Sequence, residues 1–345
     1  MKIVLTGGGS GGHVIPSISL LPYIKKAFSK IYYIGGSGIE RDILKNYPEV
    51  EFFTVHAPKL DRGNLLKNLC LPFGLIKAIS VSKKILKQIK PNIVFSKGGF
   101  VAVPVCIAAH HLKIPVISHE SDITMGLGNK IIYRYCKTMC LSFEGHTKKK
   151  CVYTGQPIRA QILCGSAEVG YKMCNIQKGL PILLIIGGSM GAKSLNDVVY
   201  QTLDTLCEKY NIIHITGKEK NEEKTHKNYT QFEYVQNIQD LFAISSCVIS
   251  RAGAGAISEF LALKKPMLLI PLGKNASRGD QIENAKRCEQ MGVAHVLPQQ
   301  ELTPKTFFVE IDNLVKNRDK LIKNMPEYED ACKKIYQEII KCTKN

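Results

Sequence analysis

Short apolar runs recur along the chain, and between them apolar residues fall at helical spacing. In the first half Ile3–Thr6, Ile31–Ile34, Phe52–Val55, Ile93–Ser96, Val116–His119 and Thr138–Ser142 read as strands. Pro16–Ser29, Leu75–Ile89, Val101–Leu112 and Asn129–Cys136 read as helices; Leu75, Ile76, Ile79, Leu86 and Ile89 mark one helical face. The pattern restarts at Pro181. Strands follow at Ile182–Ile186, Ile212–Thr216, Phe232–Val235, Cys247–Ser250, Met267–Pro271 and Ala294–Leu297. Ser194–Lys209, Ile238–Ile244, Ala254–Leu263 and Asp280–Met291 lie between them as helices, and the chain beyond Thr303 is helical and charged. Such alternation predicts α/β structure with mostly parallel, doubly wound sheets. Leu163–Gly179 has no strong period and is the best linker candidate, so the simplest architecture is two Rossmann-like halves facing a central cleft.

Length and composition agree with that picture. The 345 residues are comfortable for two domains, and 45% apolar content argues against disorder. The longest apolar run, Phe100–Ala109, is far short of the roughly 18–20 residues that span a bilayer. Met1-Lys2 is followed by three apolar residues and then glycines, which is not a signal peptide, so a cytosolic chain is expected. Twelve cysteines, none in Cys-x-x-Cys, read as free thiols in a reducing compartment rather than as a zinc site. The net charge of +18 suits nucleic acid, an anionic membrane surface or a polyanionic substrate, and does not choose among them.

Two glycine turns of one kind carry the first chemical signal. Gly7-Gly8-Gly9-Ser10-Gly11-Gly12-His13 follows the first strand, and Gly187-Gly188-Ser189-Met190-Gly191-Ala192 follows Ile182–Ile186. A strand, a glycine turn and a helix start form an anion site, because bare N–H groups and the positive dipole end point at one spot. The first turn satisfies G-x-G-x-x-G, but the second strand runs into Gly35-Gly36-Ser37-Gly38 instead of the acid that would hold a ribose of NAD. The second turn nearly makes a phosphate loop, with Ala192 where the last glycine belongs. A third turn, Lys97-Gly98-Gly99-Phe100, also joins a strand to a helix, so all three belong on the ligand-binding rims.

Other groups gather at the same rims. His13 falls at a helix start, where the dipole disfavours its charged form and leaves an imidazole able to take a proton. His119-Glu120 ends another first-half strand. In Arg251–Glu259 small residues let a ligand approach a helix start, and Glu259 about one turn on could take two vicinal hydroxyls. Gln281, Asn284 and Ala285 share a helical face, as amides reading sugar hydroxyls or as ordinary surface residues. Asp-x-Asp is absent from the sequence, so a donor diphosphate would be held by dipoles and N–H groups rather than through a divalent ion. Leu65–Lys77 interleaves apolar residues with lysines, and Lys83, Lys84 and Lys87 follow. That pattern fits a peripheral membrane patch and fits a buried helix with a basic face equally well.

Taken together, these segments resemble the MurG family of GT-B glycosyltransferases. The family's G-G-T-G-G-H stands at Gly7–His13, its G-G-Y/F at Gly98–Phe100, and its His-Glu at His119-Glu120. G-N-P-hydrophobic-R stands at Gly155–Arg159, G-G-S-x-G-A at Gly187–Ala192, R-x-G-A-x-x-x-x-E at Arg251–Glu259 and Q-x-x-N-A at Gln281–Ala285. Ser10 replaces a Thr, Gln156 an Asn and Asp280 a His, and the family's H-E-Q-N becomes His119-Glu120-Ser121-Asp122. An ionised Asp122 cannot donate as the replaced amide does.

The resemblance implies a GT-B fold with domains at 1–162 and 180–325, a 163–179 linker, and a 326–345 helix packing back on the first domain. It implies inverting transfer of N-acetylglucosamine from UDP-N-acetylglucosamine to the C4 hydroxyl of the muramyl sugar of lipid I, without metal or cofactor. His13, or less well Glu120, would be the base. Ser10, Gly11, Gly12, Asp122, Arg159, Ser189, Glu259 and Gln281 would meet the donor, with Val235 and the backbone of Ala254, Gly255, Ala256, Ile257 and Ser258 around the uracil. Gly98, Gly99 and Gly191 would line the acceptor and diphosphate loops. The expected place is the cytoplasmic face of the inner membrane, with Leu65–Lys77 against anionic lipid, other cell-wall synthesis proteins as further partners, and no nucleic acid. Two rivals stay open: an epimerase acting on the same donor, and a basic dinucleotide-binding regulator.

Overall fold

The apolar runs of the first half become parallel strands in a computed structural model, which describes residues 1–9, 11–60, 66–144, 148–174, 176, 179–188, 191–218, 221–222, 224–273 and 279–344. They are β1 (Lys2–Thr6), β2 (Lys30–Gly35), β3 (Val50–Thr54), β4 (Ile93–Ser96), β5 (Val116–Glu120), β6 (Thr138–Leu141) and β7 (Cys151–Tyr153). Their order across the sheet is β3-β2-β1-β4-β5-β6-β7, every pair parallel. Successive side chains point to opposite faces, and both faces are covered, which is why these strands read as unbroken apolar runs. Val4, Ile34 and Val94 pack on one face with Ala102, Val105 and Ala108 of the helix Ala102–His111. Ile3, Leu5, Ile93 and Phe95 pack on the other with Cys332, Ile335, Ile339 and Cys342 of the C-terminal helix Ala331–Lys344. The first unit is therefore Met1–Arg159 together with Asp330–Asn345.

The second unit, Ala160–Glu329, repeats the scheme. Its strands are β8 (Ile182–Ile186), β9 (Asn211–Ile215), β10 (Tyr229–Phe232), β11 (Cys247–Ser250), β12 (Met267–Leu269) and β13 (Ala294–Val296). They are ordered β10-β9-β8-β11-β12-β13, again all parallel. In each sheet the strand order reverses once, between β1 and β4 and between β8 and β11. Ligands of open α/β sheets bind outside the carboxyl ends of the strands at that reversal.

Three expectations change. The segment 163–179 is not a bare linker: the helix Ala167–Cys174 packs on the helix Ile238–Ile244 within the second unit. Two of its three glycines mark close approach, since a Cβ on Gly165 would stand 2.0 Å from the Gln239 carbonyl oxygen and one on Gly170 2.3 Å from that of Asp240. The first helix begins at Gly11, not Pro16, and runs to Ser19 with Pro16 inside it. Val235 lies beyond the end of β10 rather than in a strand.

Candidate functional site

In the first unit the reversal point is built from the ends of β1, β4 and β5. Gly7 to Gly9 leave β1, and Gly11, Gly12 and His13 form the first turn of the helix Gly11–Ser19, whose leading N–H groups point out of the helix end. Ser10 lies outside the described residues. Gly98 and Gly99 leave β4 with φ of +82° each. A Cβ on Gly98 would sit 2.7 Å from Asn129 Nδ2, and one on Gly99 2.7 Å from the Gly8 carbonyl oxygen and 3.5 Å from His13 Nε2. The two glycine turns are thus in contact, and the His13 ring lies against the second. His13 is partly exposed, so a ligand on this rim can reach it.

Glu120 is held by its own neighbours. Its Oε1 accepts the Asp122 N–H at 3.1 Å, and its Oε2 accepts the Gly126 N–H at 2.9 Å and Asn129 Nδ2 at 3.0 Å. Three donors engage this buried carboxylate, so it holds the segment Ser121–Gly126 in place. Asn129, which the sequence offered only as a helix start, closes the frame by donating to the His119 carbonyl and accepting from the Ser118 hydroxyl.

Beneath this rim lies a buried lysine whose chemistry the sequence did not single out. Lys97 Nζ lies 2.7 Å from His119 Nδ1 and 3.4 Å from Gln156 Oε1, and bonds the Ser121 hydroxyl. His119 Nε2 lies 2.9 Å from the Gly155 carbonyl oxygen, so it carries the ring proton and Nδ1 accepts from Lys97. Burial, and then the Lys97 charge, hold this imidazole well below its ordinary range. Burial also lowers Lys97 from 10.5 to about 8, while Glu120 and Asp122 pull the other way. The one legible signal was a lysine placed directly after the apolar strand Ile93–Ser96 and before two glycines.

The second unit has its own reversal point. Gly188 and Gly191 turn with φ of +90° and +66° at the end of β8, and the helix Lys193–Cys207 starts just after. Ser189 lies outside the described residues. From β11 the chain passes through Arg251 and Gly253 into the helix Ala254–Ala262. Arg251 is buried; its guanidinium donates to the Ile270 carbonyl at 3.0 Å and to the Ser194 hydroxyl at 2.9 Å, tying three elements at the rim. Gly255 is exposed at the helix start, Ala256 and Glu259 are partly exposed, and Ala254 is buried. The Ile257 side chain is in the core, so only its backbone could face a ligand. The Ser258 hydroxyl donates to the Ala254 carbonyl.

Of the two amides, Asn284 is buried and donates to the Ala252 carbonyl at 3.2 Å, a clamp rather than a sugar reader. Gln281 Oε1 accepts the Leu272 N–H at 3.1 Å, which directs its NH2 half elsewhere. The structure therefore brings together Gly11, Gly12, His13, Gly98, Gly99, Glu120 and Asp122 on one rim. Gly191, the helix start Ala254–Glu259 and Gln281 share the other. Arg159 ends the first unit and Val235 follows β10, each partly exposed.

Comparison with known proteins places this geometry. Residues 3–141 match the glycosyltransferase family 28 N-terminal domain, and residues 182–339 match the glycosyltransferase family 28 C-terminal domain. A Clostridium botulinum (strain Langeland) protein named UDP-N-acetylglucosamine–N-acetylmuramyl-(pentapeptide) pyrophosphoryl-undecaprenol N-acetylglucosamine transferase is 48% identical over 99% of both chains. Among solved structures, Acinetobacter baumannii MurG superposes with a TM-score of 0.79 at 22% identity over 99% of each chain. A Neisseria meningitidis UDP-GlcNAc 2-epimerase superposes with 0.67 at 14% identity, covering 99% of this chain and 100% of its own. The fold is thus common to transferases and an epimerase, whereas whole-length identity picks out the transferases. With both domains matched and nearly half its residues identical to such an enzyme from end to end, the chain belongs to glycosyltransferase family 28.

Proposed function

We propose that the chain moves N-acetylglucosamine from UDP-N-acetylglucosamine onto lipid I in one inverting displacement, with His13 as the base. The donor and acceptor are those in the names of its 48% identical relatives, and that identity is the observation carrying the reading. The C4 hydroxyl oxygen of the muramyl sugar forms the bond to C1 of the donor sugar, the bond from C1 to the diphosphate oxygen breaks, and UDP leaves. The hydroxyl proton passes to the His13 imidazole. His13 is favoured over Glu120 because it stands partly exposed at a helix start on the rim, whereas Glu120 is buried. Leaving-group charge falls to the N–H groups at the Gly11 and Lys193 helix starts, which suit anions.

In the second unit Glu259, partly exposed in the helix Ala254–Ala262, takes the ribose hydroxyls. The Ala254–Ser258 backbone and Val235 flank the uracil, and the Gln281 amide, Arg159 and Ser189 complete the donor contacts. The absence of Asp-x-Asp supports a reaction that needs no divalent ion. The decisive assay is transfer of labelled N-acetylglucosamine from UDP to a lipid I analogue. Transfer is expected with undiminished rate in EDTA. An EDTA-sensitive rate would overturn the metal-independent step, and no transfer would overturn the reading.

The same reading puts the first unit against the cytoplasmic face of the inner membrane. No helix among the described residues is long and apolar enough to cross a bilayer. Leu69, Phe73 and Ile76 are 71%, 77% and 65% exposed at i, i+4, i+7 spacing, with Lys77, Lys84 and Lys87 exposed along the helix Leu71–Ile89. Leu65 lies outside the described residues. Burying such side chains contributes about 1.5–3 kcal/mol each, and each lysine near anionic lipid about 1 kcal/mol. Phe73→Ser with Ile76→Ser should lower binding to anionic vesicles in flotation by about tenfold or more. Because these side chains are exposed, the melting temperature should not change; undiminished flotation would rule the patch out.

A further inference from the structure

We propose that Lys97 is a positioning residue for this transfer: its buried ammonium ties His119, Ser121 and Gln156 together and balances the carboxylates of Glu120 and Asp122 where the anionic donor must bind. The inference rests on the proposed reading of the first-unit rim as a substrate rim.

Three observations carry it. An ammonium has three N–H donors, and Lys97 has three acceptors, namely His119 Nδ1, the Ser121 hydroxyl and Gln156 Oε1. A neutral amine would leave one of them without a donor. The side chain is 1% exposed, so its charge persists only because neighbours compensate for lost water. Those neighbours sit where substrate is proposed to bind. Glu120 frames the segment Ser121–Gly126, and within it lies Asp122, one of the residues that the resemblance sets against the donor.

The charge balance has a chemical consequence. Two carboxylates at the end of β5 would repel a nucleotide diphosphate. A fixed cation beneath them removes that penalty without offering the donor a competing surface site. Ser121 and Gln156, both departures from the related motifs, are two of the three acceptors, so the lysine gives them a shared purpose. The other titratable groups around Lys97 do not compete for its role. Burial pushes the Cys140 thiol of β6 and the Tyr33 phenol of β2 well up, so both stay neutral, and His13 stands beyond Gly99.

The test is steady-state kinetics against UDP-N-acetylglucosamine over about pH 6.5–9.5, a window spanning the depressed lysine value. In the wild type, KM should rise above about pH 8, as the ammonium is lost. Lys97→Met should raise KM at neutral pH about tenfold, change kcat less, and abolish that alkaline limb. Adding Asp122→Asn to Lys97→Met should recover part of the lost affinity, because one of the two carboxylates that Lys97 balances is gone. Should Lys97→Met fail to fold, Asp122→Asn alone decides: removing a charge that supports the ammonium should move the alkaline limb to lower pH. An unchanged KM and pH profile in Lys97→Met, additive behaviour of the double variant, or an unmoved limb in Asp122→Asn would overturn the assignment. Failure of the wild type to transfer at all would instead overturn the rim reading beneath it.

Discussion

Replacing His13 by Ala should lower kcat about 10²–10⁴-fold while leaving donor affinity nearly unchanged. The separation follows from the fold. His13 belongs to the first-unit rim, whereas the nucleotide contacts proposed for Glu259 and the Ala254 helix start belong to the second unit. Removing the imidazole deletes an acceptor for the incoming hydroxyl's proton and leaves the ribose and uracil contacts in place. Titration of the variant with UDP should therefore give a wild-type Kd beside a collapsed turnover. Wild-type turnover would end the base assignment. A loss confined to KM would give His13 a binding role instead.

What was legible in the sequence divides along physical lines. Strands buried on both faces, such as β1, β4, β8 and β11, appear as apolar runs and were placed to within a residue. The edge strand β7 is not legible in the sequence: it has three residues and its Val152 and Tyr153 are exposed, so it carries no apolar run. Helix starts were misplaced where glycine and proline stand inside them, as at Gly11–Ser19, because both residues ordinarily mark turns. The glycine-rich segment around Gly165 and Gly170 read as a linker because glycine at a close backbone contact and glycine in a loop look alike in sequence.

The site divides in the same way. Turns whose glycines need positive φ, such as Gly98 and Gly99, are legible from spacing alone. Roles that depend on partners were not. Lys97, His119, Ser121 and Gln156 are spread over sixty positions, and become neighbours because the parallel strands β4, β5, β6 and β7 lie side by side and end at one rim. The same holds for Glu120, a plausible proton acceptor as an isolated residue and a loop anchor once its three donors are counted.

Gly99→Ala is the substitution expected to do most damage outside the proposed base. At φ +82° an alanine costs about 1–2 kcal/mol in backbone conformation alone. Its Cβ would also stand 2.7 Å from the Gly8 carbonyl oxygen, a backbone atom fixed by the first glycine turn, and forced overpacking adds about 1–3 kcal/mol. On its other side the Gly99 carbonyl lies close to the Gly128 backbone, an approach that a Cβ at 128 would narrow to 3.0 Å. Relief must come from moving the Gly7–Gly9 turn, and with it the helix that carries His13. A shift near 1 Å at reacting groups can cost about 10²-fold in rate, so kcat should fall at least that far along with the melting temperature. Gly253→Ala separates this from a general intolerance of added methyl groups. Gly253 has φ −71° and nothing within 4 Å of a Cβ, so thermal unfolding of that variant should lie within about 1 kcal/mol of wild type. Equal melting temperatures for the two variants, or a Gly99→Ala enzyme with wild-type kcat, would show that the contact between the two glycine turns does not set the position of His13.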